Sequence, residues 1–233
     1  MRKMFTALAA AATLLTLGTA AAQASVAGKT PGATPACGAQ CFELSSLALG
    51  THQIQNAYVP GDYGYGGRIG QQVNLHLMSN SHPNEDFTGA AVGSLGEFCG
   101  NLIPAQSYVC LNYGKDYPVF ESDWTPWGNQ TDLCVCVLVP GLAWQHVTLQ
   151  PCGQSATTLW VGDLQHTLHY NNHVYFPWVN ASDPNFSHPL VLTVNIGSRR
   201  PWKQLMLERL NLLNGSYVRG SQDFTLQYGP VFQ

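Results

Sequence analysis

Charge is scarce in this chain. Lys, Arg, Asp and Glu make up 10% of its 233 residues, against about 25% in a typical soluble domain. The formal net charge is −3, and the ten basic residues form no stripe. A nucleic-acid partner needs clustered Lys and Arg to neutralise phosphates, so none is expected. After residue 17 no apolar run approaches the roughly twenty residues of a membrane-spanning helix, and no membrane partner is expected. Nucleophile-elbow, zinc-protease and phosphate-loop motifs are also missing. With so few charges, solvation falls to Gly, Ser, Thr, Asn, Gln and Tyr, a surface that suits extracellular proteins and polysaccharide binders.

What is present begins with a targeting pattern. Arg2 and Lys3 precede an apolar stretch from Phe5 to Leu17, and Ala22-Gln23-Ala24 offers a small-x-small cleavage site. Residues 1–24 therefore read as a secretory signal peptide, and the protein as secreted and extracellular. Residues 25–36, rich in small residues and Pro, read as a flexible linker, and residues 37–233 as a single all-β domain.

The seven cysteines fit that compartment. Export favours disulfides over metal ligation, and the preferred pairs are Cys37–Cys41, Cys99–Cys110 and Cys134–Cys152. Cys136 is left over. It shares a strand face with Cys134, so either could bond Cys152. No second ligand pair stands at zinc spacing, and the sequence calls for no metal or cofactor.

A short pattern occurs three times: Gly70-Gln71-Gln72-Val73-Asn74-Leu75, Trp144-Gln145-His146-Val147-Thr148-Leu149 and Trp202-Lys203-Gln204-Leu205-Met206-Leu207. Each copy sets a Gly or Trp three residues before an apolar-x-apolar pair. An aromatic closing element follows each: Glu85-Asp86-Phe87, Thr158-Leu159-Trp160 and Gln222-Asp223-Phe224. One copy cannot bury its apolar face alone, so the repeats predict a three-fold all-β scaffold. Strands are expected over Leu133–Val139, Val147–Leu149, Thr158–Val161 and Leu190–Ile196, and over the first half of Trp202–Leu213. Leu133–Val137 and Leu190–Val194 precede their tryptophans at similar distances, and Cys41–Leu44 is expected to supply the matching strand in the first copy. The chain runs only a few residues past Phe224, so a two-sheet sandwich stands beside the closed barrel as an alternative.

The middle copy carries a resemblance. Leu133-Cys134-Val135-x-Val137, Val147-Thr148-Leu149-Gln150-Pro151-Cys152 and Leu159-Trp160 resemble one repeat of the ricin-B-type β-trefoil family. The chain is also similar to exported bacterial proteins with paired N-terminal cysteines like Cys37 and Cys41. The family implies a six-stranded barrel capped by three hairpins, and in many members lectin-like sugar binding. The resemblance places the family's sugar-binding aspartate at Cys136, and Thr193 stands at the matching place in the third copy. Of the closing glutamines only Gln222 is retained, with Phe224 in place of Trp. The scaffold positions match and the usual ligand positions do not.

Asp123-Trp124-Thr125-Pro126-Trp127-Gly128-Asn129 is the best local candidate for a binding site. Trp124 and Trp127 could stack on a pyranose while Asp123 and Asn129 hydrogen-bond its hydroxyls; equally, both indoles could pin a long connection to the barrel. Tyr63 and Tyr65 in the Gly-rich stretch 61–67 are a second candidate. His166, His169 and His173 read as parts of a hairpin turning at Asn171-Asn172, which separates them too far for a metal site. Glu121 and Asp123 are the minimum pair for glycoside hydrolysis, but any sequence supplies such pairs. The reading is a non-catalytic, carbohydrate-binding protein whose partner is an extracellular glycan or polysaccharide. The alternative is a structural or interaction protein on a degenerate trefoil, with a protein partner.

Overall fold

Twelve strands pair into one antiparallel sheet that closes on itself. The computed structural model describes residues 41–50, 53–56, 67–77, 85–126, 129–153, 155–185, 187–197, 199, 202–213 and 217–228. The strands fall into three sets of four. The first is β1 (Cys41–Ser46), β2 (Gln53–Asn56), β3 (Asn74–Leu77) and β4 (Phe87–Ser94). The second is β5 (Pro118–Trp124), β6 (Leu133–Cys136), β7 (Thr148–Pro151) and β8 (Trp160–Gly162). Between the second and third sets lies an extra hairpin, β9 (Leu168–Tyr170) and β10 (His173–Tyr175). The third set is β11 (Trp178–Asn180), β12 (Leu190–Val194), β13 (Lys203–Arg209) and β16 (Phe224–Tyr228), with the short pair β14 (Leu212–Leu213) and β15 (Tyr217–Val218) inserted before β16.

The same pairings recur in each set. The middle two strands form a hairpin in every case: β2 with β3, β6 with β7, and β12 with β13. The last strand of one set pairs with the first of the next: β4 with β5, β8 with β11, and β16 with β1. The β16–β1 ladder, from Phe42↔Tyr228 to Ser46↔Phe224, closes the ring. Despite the short stretch after Phe224, that strand is long enough, and closure rules out the two-sheet sandwich. The fold is a β-trefoil.

The three sequence copies meet at the pseudo-three-fold axis in cyclic register. Gln72 pairs with Thr148, His146 with Met206, and Gln204 with Asn74. In each case the third residue of one copy faces the fifth residue of the next. Val73, Val147 and Leu205 form one fully buried layer, and Leu75, Leu149 and Leu207 a second. The closing aromatics Phe87, Trp160 and Phe224 join the same core. No single copy could bury these side chains, which is the physical content of the repeat.

A second apolar cluster lies outside the barrel. It forms beneath an insertion between the first two sets that contains the short helices α1 (Leu95–Phe98) and α2 (Tyr108–Asn112), clamped by Cys99–Cys110. Leu95, Ile103 and Val109 from the insertion pack in a cluster with Val119, Val161, Val179 and Val191 of the strands. This covering explains why every residue of β12 is buried: Leu190, Leu192 and Val194 point into the barrel while Val191 meets the outer cluster. A continuous apolar run is what a strand covered on both faces requires.

Several sequence expectations shift in detail. The counterpart of Leu133–Val137 in the first repeat is β2, not Cys41–Leu44; the latter begins β1, which corresponds to β5 and β11. The strand expected over Leu133–Val139 stops at Cys136, because the Gln145 side chain takes the Leu138 and Val139 amides, both at 2.9 Å. Ala156–Thr158 is a 3-10 turn capped by Ser155, so that strand begins only at Trp160. Cys134–Cys152 is bonded as expected, and Cys136 is free and buried. The pairing Cys37–Cys41 lies outside the described residues, as do Tyr63, Tyr65 and Trp127.

Candidate functional site

Of the four residues Asp123, Trp124, Trp127 and Asn129, the three that are described, Asp123, Trp124 and Asn129, present no exposed aromatic face. Trp124 is 2% exposed and packs in the barrel core. Gly67 lies so close to its indole that a Cβ there would overlap the ring. The structural reading of Trp124, a pin for the connection, is the one its placement supports. Asn129 donates to Pro126 O from both its backbone and its side chain, closing its own turn. Asp123 is half-buried on β5, and its carboxyl is pushed up to about 6, mainly by burial, with Asp132 adding to it and Thr131 opposing. One carboxylate oxygen of Asp123 lies near the Cys134 and Cys152 sulfurs, but these are bonded to each other and offer no metal site. Glu121 accepts from Gly153 N at 2.8 Å and from Thr158 Oγ1 at 2.5 Å.

In the second and third repeats the positions that the resemblance assigns to sugar binding are buried. Cys136 is buried, and its thiol donates toward Val137 O at 2.9 Å and lies 3.2 Å from Thr157 Oγ1. Burial pushes that thiol up from its ordinary range. Thr193 is buried and donates to Val191 O at 3.2 Å. Gln222 acts as a cross-brace: Nε2 donates to Arg209 O at 2.9 Å and Thr193 Oγ1 at 3.1 Å, and Oε1 accepts from Asn211 N at 2.8 Å. His169 and His173 fall where the hairpin reading puts them, whereas His166 ends a 3-10 turn (Leu164–His166) ahead of the ladder. His173 pairs with Tyr170 across the Asn171-Asn172 turn, His169 faces Val174, and His166 holds Asp163 at 2.6 Å.

Among the described residues the most exposed aromatic is Trp144, at 69% exposure. It sits at the end of the β6–β7 connection with φ of +65°, a left-handed conformation that costs a bulky side chain about 1–2 kcal/mol. The first repeat meets the same geometry with a glycine, Gly70, at φ +84°. Both residues donate an equivalent backbone hydrogen bond, Gly70 to Leu149 O at 2.8 Å and Trp144 to Leu207 O at 2.7 Å.

Gln145 makes the connection rigid. Besides accepting from Leu138 and Val139, it donates from Nε2 to Val139 O at 2.5 Å and to Leu142 O at 2.7 Å. Four hydrogen bonds from one side chain pre-form the loop that presents Trp144.

Trp144 borders a cleft of about 620 Å³ that also contains His188, Glu208, Arg209, Asn211 and Arg219. Arg209 is anchored by the buried carboxylate of Asp183 and by His188 O at 2.8 Å. Asp183 in turn accepts from Leu190 N and Asn185 N, both at 3.1 Å. Glu208 is raised from its ordinary range by burial, with Arg219 opposing. The cleft thus sets an exposed indole beside an anchored guanidinium, with Glu208, Asn211 and Arg219 also lining it. The sequence contained the signal, a Trp where another copy of the repeat has Gly, but Trp202 at the same position in the third copy is buried at 8%. Exposure could not be read from residue type.

No family model matches this sequence, and no curated protein does either. Among solved structures the chain is similar to ThreeFoil, a designed 3-fold symmetric protein, at 10% identity and TM-score 0.48 over 80% of this chain and 97% of that one. It is also similar to a mosquitocidal holotoxin, at 11% identity and TM-score 0.47 over 81% of this chain; the match spans 17% of the toxin chain. A third is the SDF2-like protein from Arabidopsis thaliana, at 10% identity and TM-score 0.42 over 83% of this chain and 96% of that one. The trefoil assignment rests on the cyclic strand register described above.

Proposed function

We propose that this chain is a secreted, non-catalytic, lectin-like protein that binds an extracellular carbohydrate through Trp144. One observation carries the reading: an exposed indole, held in a conformation suited to glycine, at the rim of a cleft containing Glu208, Arg209, Asn211 and Arg219. Sugar recognition asks for this combination, because C–H faces stack on an aromatic ring while hydroxyls need fixed polar partners. Two disulfides support an exported protein, and among the described residues no helix is long and apolar enough to cross a membrane. No residue is assigned a catalytic role in this reading.

The test is binding of the disulfide-intact protein to a broad panel of immobilised glycans and insoluble polysaccharides. A specific, saturable hit that weakens at least about tenfold in Trp144→Ala supports the reading. Folded protein that binds no glycan, or binds equally well after Trp144→Ala, overturns it. A second reading, an interaction protein, draws on Leu138, Val139 and Leu142, which are exposed on the same loop as Trp144. It predicts association with a protein partner that is lost when these three residues become Ser.

A further inference from the structure

The tip of the β6–β7 connection reads Leu138-Val139-Pro140-Gly141-Leu142-Ala143-Trp144, and none of its aliphatic residues carries a polar side-chain atom. Leu138 is 59% exposed, Val139 48%, Leu142 50% and Trp144 69%. Among the described residues no other stretch of this length holds more than two exposed large apolar side chains. The lack of charge reaches well beyond the tip: no Asp, Glu, Lys or Arg stands between Asp132 and Asp163. Leu138, Val139 and Leu142 do not line the Trp144 cleft.

A loop in water can leave its backbone to the solvent, yet this one pairs its own. Gln145 turns inward, accepting from Leu138 N and Val139 N and donating to Val139 O and Leu142 O. Leu142 N donates to Val139 O at 3.4 Å, and Gly141 O accepts from Arg209 Nη2 at 3.5 Å. An uncharged apolar tip with its backbone paired internally is complementary to a medium that offers neither charge nor hydrogen bonds. Hydrocarbon is that medium, and it heavily penalises every unpaired backbone group. A standard protein interface takes roughly 20–30 residues a side, several times what this loop supplies.

We propose that this loop docks the protein on a lipid surface, with Leu138, Val139 and Leu142 entering the outer hydrocarbon. Docking of this kind is peripheral and needs no spanning helix. It does not rest on the glycan reading, because the three aliphatic residues lie outside the cleft. The test is co-flotation of the disulfide-intact protein with vesicles of pure phosphatidylcholine in a sugar-free density gradient. These vesicles carry no glycan and no net charge. Half-saturation is expected at about 0.1–1 mM lipid, and about 0.5 M NaCl should not release the protein. Changing Leu138, Val139 and Leu142 together to Ser should abolish flotation while the melting curve is kept. Gln145→Ala is the sharper variant. It deletes a polar group but leaves loop amides and carbonyls unpaired, so flotation should weaken at least about tenfold. A patch that binds through apolar area alone would float as well or better. The proposal is overturned if folded protein does not float, if flotation is indifferent to the triple Ser change or to Gln145→Ala, or if it needs anionic lipid and low salt. Capture of a protein partner by folded protein that does not float would assign the loop to the interaction reading instead.

Discussion

Trp144 occupies in the second repeat the left-handed backbone position that Gly70 occupies in the first, at φ +65° against +84°. Stability and function therefore pull in opposite directions at this residue. Trp144→Gly relieves the strained conformation and removes a side chain that is mostly in solvent. It should raise stability by about 1 kcal/mol in urea unfolding, while glycan affinity falls as in Trp144→Ala. A variant that loses stability would show that the indole supports the fold.

Gln145→Ala removes the four side-chain hydrogen bonds that hold the β6–β7 connection. Hydrogen exchange at the Leu138 and Val139 amides should quicken by more than tenfold, with global stability reduced by only about 1–2 kcal/mol. Sugar affinity should drop although Gln145 is not a proposed ligand, since a loosened loop must be ordered on binding.

Asp223 is buried at the entrance to β16, and its carboxyl is pushed up to about 7, chiefly by burial, with Asp163 adding and His166 opposing. Its folded pKa stands above the unfolded value of about 3.9, so the native state holds the proton longer. Stability contributed by this group is greatest at low pH and falls as pH rises from about 4 through about 7. Asp223→Asn keeps the shape and removes the titration. It should be more stable than the parent at pH 8 and nearly equal at pH 4, read from urea midpoints; the opposite ordering would refute the assignment.

Cys134 and Cys152 enclose a loop with a sequence separation of 18 and join β6 to the end of β7. Replacing both with Ala should cost about 3 kcal/mol by chain entropy. Alkylation of the unfolded, unreduced parent followed by peptide mapping should label Cys136 and leave Cys134 and Cys152 unlabelled. Label on Cys134 or Cys152 in place of Cys136 would refute the pairing.

The three-fold plan was legible because the third and fifth residues of each copy are register partners across the axis, and the buried layers use apolar residues at fixed offsets. Strand β2 was not legible: Gln-Ile-Gln-Asn has one apolar residue and is placed by its pairing with β3. The site was legible only in part. Trp124 and Trp144 both stand beside turn residues, and nothing local separates them. Trp124 lies on β5 with its ring in the barrel, and Trp144 lies on a loop braced by a glutamine seven residues from the amide it caps. Burial of a side chain is decided by strands distant in sequence, and so it escapes local patterns. The Asn171-Asn172 hairpin was readable for the converse reason. Both residues adopt positive φ, which two-residue turns demand and Asn tolerates.

The ring of strands is sealed by β1 against β16, the first and last strands of the barrel. During synthesis from the N-terminus, the free edge of β1 waits for residues 224–228 before it gains this neighbour. No shorter nascent chain can complete the barrel, so its closure follows the emergence of residues 224–228. A chain halted just before Phe224 would present an uncovered strand edge, ready to recruit another molecule.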